Sequence, residues 1–198
     1  RIVQSNGTCS AISNVVCVTV NPAISNNVIA SGQQRCVNTA VTLLTGAIPA
    51  GGDNSYIYQW QTSTDQVNWT NLVTTQNYQP PVYTAAGIHY FRRLVSSGNC
   101  TSVSNVITIT IQPDSYAEFT ANPVAACAPF NLAPVIQVTA LPDSNGTYEW
   151  YADGSLFGSN NTGLFPGYTI SNPGDTVDVK LVTRSQFGCK PDSVTIQF

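Results

Sequence analysis

The sequence predicts an all-β protein made of tandem antiparallel β-sandwiches. Three observations carry this: an internal repeat, apolar residues alternating with a period of two, and turn clusters spaced roughly every 8 to 12 residues. Arg1 to Pro22 (RIVQSNGTCSAISNVVCVTVNP) and Arg92 to Pro113 (RRLVSSGNCTSVSNVITITIQP) correspond nearly residue for residue. Cys9 falls on Cys100, Ser13-Asn14 on Ser104-Asn105, and Pro22 on Pro113. A divergent third copy, Lys180 to Phe198 (KLVTRSQFGCKPDSVTIQF), again runs strand, Gly-Cys turn, strand. The 198 residues therefore read as the last strands of one repeat (1–22), a whole repeat (23–113) and a divergent repeat (114–198). Pro22, and Pro113 with Asp114-Ser115, are linkers too short to allow wide swinging.

Each element follows from its pattern. Ile107, Ile109 and Ile111 alternate with Thr108 and Thr110, as Val194, Ile196 and Phe198 do with Thr195 and Gln197, so both are last strands with one buried face. Tyr56, Tyr58 and Trp60 share one face of a middle strand, and Tyr148 and Trp150 repeat that arrangement. Gly51-Gly52-Asp53-Asn54, Ala86-Gly87 and Asn172-Pro173-Gly174-Asp175 supply turns. No stretch has helical periodicity.

Composition excludes several function classes. Charged residues make up 9% of the chain, the net charge is −3 and the isoelectric point is near 4.8. With the few Lys and Arg scattered, nothing neutralises a phosphate backbone, and nucleic acid is excluded as a partner. No apolar run is long enough for membrane insertion. The Arg1-Ile2-Val3 start is not a signal peptide and reads as part of something longer. Six cysteines without a C-x-x-C pair, and one histidine, point to disulfides and an oxidising exterior rather than to zinc. Asn6-Gly7-Thr8, Asn68-Trp69-Thr70 and Asn145-Gly146-Thr147 match the N-glycosylation sequon.

The first full repeat, through Tyr58 to Trp69 (YQWQTSTDQVNW), His89 to Cys100 (HYFRRLVSSGNC) and Ser104 to Ile111 (SNVITITI), resembles the immunoglobulin-like repeats of very large surface proteins from Bacteroidetes. The second, through Cys127 to Leu132 (CAPFNL), Tyr148 to Gly154 (YEWYADG) and Phe187 to Ile196 (FGCKPDSVTI), is similar to the related PKD-type repeats. It departs from them where Tyr151-Ala152-Asp153-Gly154 replaces an aromatic-Gly-Asp-Gly turn. The resemblance implies tandem immunoglobulin-like antiparallel β-sandwiches, export by the type IX route, and display as a gliding, adhesion or filament protein. Asp175-Thr176-Val177 and Asp192-Ser193-Val194 look like the short O-glycosylation motif of that phylum.

Each full repeat has one cysteine before its second strand (Cys36, Cys127) and one in its last turn (Cys100, Cys189). The simple pairing is Cys36 with Cys100 and Cys127 with Cys189. In an immunoglobulin-like topology those turns lie at opposite ends, about a strand length or ~20 Å apart, whereas a disulfide needs Cα atoms within about 7 Å. The alternative joins neighbouring repeats, Cys36 to Cys189, and leaves Cys9, Cys100 and Cys127 for partners elsewhere. Both schemes stand at this point. Cys17 aligns with Thr108, on an outward face.

Few residues suggest chemistry. His89 has no Ser-His-Asp or Cys-His set around it and reads as a strand residue. Asp53 and Asp153 lack a calcium loop and read as turn aspartates. Lys180 and Lys190 lack an acidic partner for an isopeptide crosslink. Trp60 and Trp150 are core tryptophans. Trp69, with Tyr78 and Tyr83, is a candidate sugar-stacking surface, set against closure of the core edge. Adjacent Arg92 and Arg93 face opposite ways, one of them over core aromatics.

With no catalytic, metal or cofactor set, the expectation is a non-enzymatic, extracellular, cell-surface segment. Its modules act as stiff spacers and interaction units, partnered by neighbouring repeats of the same chain and by identical chains through exposed edge strands. The alternative is an accessory carbohydrate-binding or spacer module of a secreted polysaccharide-degrading enzyme, with glycans as partners.

Overall fold

The computed structural model describes residues 1–5, 9–133, 136–138 and 146–198. The Asn6-Gly7-Thr8 sequon, Asn145 of the third sequon and the side chain of Cys9 lie outside the described parts. The described residues are all-β, without a helix.

An N-terminal hairpin pairs β1 (Ile2–Ser5) with β2 (Cys9–Ile12), Ile2 opposite Ile12. Residues 13–24, aligned with the last strand of the next repeat, have no regular structure. Val16, Val18 and Val20 are 78%, 82% and 87% exposed, while their counterparts Ile107, Ile109 and Ile111 are buried. The counterparts are buried because strands flank them on both sides and a second layer covers them. Among the described residues, 13–24 pair with no sheet, so the expected strand and the outward face for Cys17 are not seen.

The first sandwich contains β3 (Ile29–Ala30), β4 (Gln33–Cys36), β5 (Thr45–Gly46), β6 (Ile57–Ser63), β7 (Thr70–Asn71), β8 (Gly87–Ser97), β9 (Cys100–Val103) and β10 (Ile107–Gln112). One layer runs β4-β10-β8-β6-β7, with β9 also on β8. The other contains β3 with β5, extended by bridges between Ser25 and Ala50 and between Leu44 and Tyr78. The chain crosses between layers at Ser31-Gly32. Ser31 takes a φ of 81°, and a Cβ on Gly32 would lie 3.2 Å from the Thr108 carbonyl oxygen. The first strand is thereby split, and its second half pairs parallel to β10, with Gln33 beside Ile109 and Cys36 beside Gln112. Trp60, Phe91, Leu44, Ile29, Val41 and the three isoleucines of β10 fill the space between the layers.

The second sandwich contains β11 (Phe119–Ala121), β12 (Phe130–Asn131), β13 (Ile136–Val138), β14 (Thr147–Ala152), β15 (Ser155–Asn160), β16 (Thr169–Ile170), β17 (Asp178–Arg184) and β18 (Asp192–Gln197). Its main sheet runs β15-β14-β17-β18, opposed by the pairs β11-β13 and β12-β16. Between them Trp150 meets Phe119 and Phe165 edge-on, at 5.3 and 4.9 Å between ring centres. Asp153-Gly154 forms the tight β14-β15 turn, with φ 47° and 81°, the left-handed pair that a two-residue hairpin loop requires. Both units are the immunoglobulin-like antiparallel sandwiches that the sequence predicts.

Candidate functional site: the junction and the outer sheet face

The two sandwiches are joined by a disulfide between Cys36 and Cys189, with Cα atoms 5.4 Å apart. The local sequence explains the meeting. Cys36 ends β4 beside Gln112, where the chain leaves the first sandwich, and the following Val37 amide donates to the Gln112 carbonyl at 2.9 Å. Cys189 sits in the turn between β17 and β18, at the end of the second sandwich that receives the linker. There Ser115 N donates to the Lys190 carbonyl at 2.9 Å, and Lys190 N donates to Asp114 Oδ1 at 3.3 Å. A groove lined by Gln34, Arg35, Cys36, Thr39 and Phe187 borders this junction.

The pairing within repeats is therefore corrected. Cys36 does not bond Cys100 and Cys127 does not bond Cys189, because each such pair lies at opposite ends of its sandwich. Cys100 and Cys127 are free, as is exposed Cys17.

Among the described residues no group of His, Cys, Asp and Glu is arranged to hold a metal ion. Asp53 serves its turn: its Oδ1 accepts from Ser97 Oγ at 2.6 Å and from Ser55 N at 2.9 Å, which lowers its carboxyl pKa. Asp153 Oδ1 accepts from Asp178 N at 3.0 Å.

The three aromatics of the candidate sugar surface are not brought together. Tyr78 points inward, 5.9 Å from the rings of both Trp60 and Phe91. Tyr83 stacks on His89 at 4.1 Å and packs against the core, and its burial, helped by Tyr78, pushes its hydroxyl pKa up to about 12. Trp69 lies on the opposite, outer face, where the Arg92 guanidinium sits 4.1 Å from its ring centre. Arg92 Nε donates to Gln61 Oε1 at 2.7 Å, and Gln61 Nε2 donates to Asn71 Oδ1 at 2.7 Å, giving a polar and aromatic strip. Sequence reasoning missed Gln61 and Asn71, whose only signal is that they face each other across the β6-β7 pair.

His89 is partly buried, and desolvation lowers its pKa below the ordinary 6.5. The unfolded chain then binds the extra proton first, so stability is lost as pH falls through 6.5 toward the folded value. Thermal unfolding followed between pH 7.5 and 5 is expected to show a falling midpoint that His89→Gln removes. A further loss below pH ~4 is expected in both proteins, because Asp53 and Asp65 are depressed by hydrogen bonds to their carboxylates.

Residues 25–113 match a protein family described as a domain of unknown function, DUF8696. No curated protein matches the chain in sequence. Among solved structures, the fibronectin(III)-like modules of Clostridium thermocellum CbhA are similar at 13% identity and a TM-score of 0.35, covering 89% of this chain and 93% of that one. The N-terminal four immunoglobulin domains of Dscam1 isoform 6.9 are similar at 11% identity and a TM-score of 0.40, covering 86% of this chain and 45% of that one. Isoform 6.44 gives the same identity and TM-score, with 89% and 46% covered, so this chain spans less than half of either Dscam1 fragment.

Proposed function

We propose that the chain is a structural, adhesive segment of a large extracellular protein, in which immunoglobulin-like modules act as a stiff spacer carrying interaction surfaces away from the cell. The observation that carries the reading is the Cys36–Cys189 bond: two sandwiches are tied both by a short linker and by a cystine beside it. Two attachments at one end remove the bending that a single flexible linker would permit. A disulfide also belongs to an oxidising, extracellular setting. A surface held soluble by neutral polar groups, at 9% charged residues, offers little to catalysis and limits unspecific electrostatic adhesion. The resemblance to Bacteroidetes surface repeats supports type IX export and cell-surface display.

Immunogold electron microscopy of intact producing cells, with antibody against residues 23–198, tests this. Label spaced along thin surface filaments is expected. Label confined to released protein, with bare cells, would overturn it.

The outer strip of Trp69, Arg92, Gln61 and Asn71 favours a second reading, an accessory module that binds glycans. An indole ring flanked by side-chain amides can stack a sugar ring while bonding its hydroxyls. Under that reading a glycan array gives binding that Trp69→Ala abolishes. The same substitution is expected to cost about 1–2.5 kcal/mol of stability, for the lost cation–π contact and the hydrogen bond from Trp69 Nε1 to the Gln66 carbonyl.

A further inference from the structure

The junction cystine uses two positions that recur in the chain. Cys127 occupies in the second repeat the place of Cys36 in the first, and Cys100 occupies in the first the place of Cys189 in the second. Both are free thiols, Cys127 exposed and Cys100 half-buried.

Their positions in space correspond as well. Cys36 stands at the exit end of its sandwich, beside the last residue of β10. Cys127 stands at the exit end of the other, where its neighbours Ala126 and Ala128 share a cavity with Phe198, the residue that follows β18. Cys189 stands at an entry end, next to a residue bonded to the Asp114-Ser115 linker. Cys100 stands at the other entry end, at the start of β9, its Sγ 3.8 Å from the carbonyl oxygen of Pro22 in the preceding linker. Each sandwich thus has a cysteine at either end. The chain closes its internal junction and leaves one free thiol at each outer end.

We propose that these thiols are half-cystines of a ladder in which the exit-end cysteine of every module bonds the entry-end cysteine of the next. Cys127 takes the Gly-Cys turn cysteine of a following module of this kind. Cys100 takes the first-strand cysteine of the module to whose repeat residues 1–22 belong in sequence. A Cys100–Cys127 bond within one chain is excluded, because these residues lie at the two outer ends of the stacked pair. The inference deepens the spacer reading by naming its partner at both ends.

Each bond forms by thiol–disulfide exchange with a dithiol oxidant in its disulfide form. One cysteine thiolate attacks that disulfide and displaces one of its sulfurs. The partner thiolate then attacks the mixed disulfide, and the oxidant leaves as a dithiol carrying the two protons and two electrons removed from the pair.

The test is non-reducing peptide mapping of the protein isolated from its producing cells, with free thiols trapped by iodoacetamide during lysis. The Cys100 and Cys127 peptides are expected linked to cysteine peptides of adjoining modules, with loss of their alkylated forms. Recovery of both as alkylated thiols, or linked to Cys17, would overturn the ladder. Cys36–Cys189 serves as the internal reference: if it is recovered while the outer links are missing, the ladder fails and the spacer reading stands. If Cys36 and Cys189 are alkylated too, both fail.

Discussion

Replacing Arg93 with methionine is expected to destabilise the first sandwich by about 3–5 kcal/mol, the low end of the cost of stranding its three neutral acceptors. Arg93 is 0% exposed, although arginine is rarely interior. It has no carboxylate partner: the ion pair found among the described residues joins Arg184 and Glu149. Its charge is spread instead over neutral acceptors. Nε and Nη2 donate to Asn27 Oδ1, each at 3.1 Å, Nη2 to the Ala47 carbonyl at 2.7 Å, and Nη1 to the Gln76 carbonyl at 3.0 Å. The Tyr58 ring lies 5.0 Å away, and its attraction partly offsets the desolvation that lowers the arginine pKa.

Methionine has a similar length and no donors, so the three oxygens would be stranded, at about 1–3 kcal/mol for each buried acceptor left unmade. Lysine is not expected to rescue, since one ammonium cannot reproduce a planar fork that spans three acceptors. Gly46→Ala should act through the same group, because its added methyl would occupy the place of the Arg93 guanidinium. Urea unfolding of Arg93→Met checks the magnitude. A loss below about 1 kcal/mol would mean that water replaces the guanidinium in its cage. The second sandwich has buried Leu181 opposite its core tryptophan, Trp150, where the first has Arg93 opposite Trp60, and its transition should not move.

How much of this was legible in the sequence depended on the range of the interactions. Ile107, Ile109 and Ile111 were readable as one buried face because alternation is a local property, and Trp60 and Trp150 because aromatic pairs in mid-strand rarely lie elsewhere. That Arg92 and Arg93 oppose each other was equally local. Which of them enters the core was not, because it is set by the register of β8 on β6, which places Arg93 opposite Trp60. Tyr78 and Tyr83 lie in an irregular segment without a period, so nothing local fixed their direction. The split of the first strand at Ser31-Gly32 was hidden for a similar reason, since the crossing serves a sheet partner, β10, far along the chain. For the cysteines, spacing gave two schemes, and the placement of Cys36 beside Gln112 decides between them.

That placement supports the other large prediction. Replacing Cys36 and Cys189 together with serine is expected to lower the stability of each sandwich by about 4–5 kcal/mol in the chain-entropy account. The size follows from where the bond lies. When the first sandwich unfolds alone, its chain is still held at Cys36 by the cystine and at Pro113 by the linker, both anchored to the folded second sandwich. This closes a loop of roughly 80 residues. The same holds when only the second unfolds, because Cys36 and Gln112 are neighbours in the folded first one. One cystine therefore restrains both unfolded states, which a bond within either module would not do. The native junction should also loosen, since among the described residues the linker keeps only contacts such as Ser115 with Lys190 and Lys190 with Asp114. Denaturant unfolding measures the first effect. Small-angle scattering measures the second, as a broadened distribution of distances between the sandwiches. If stability falls while the distribution stays narrow, the noncovalent junction sets the stiffness, and the cystine acts on the unfolded chain alone.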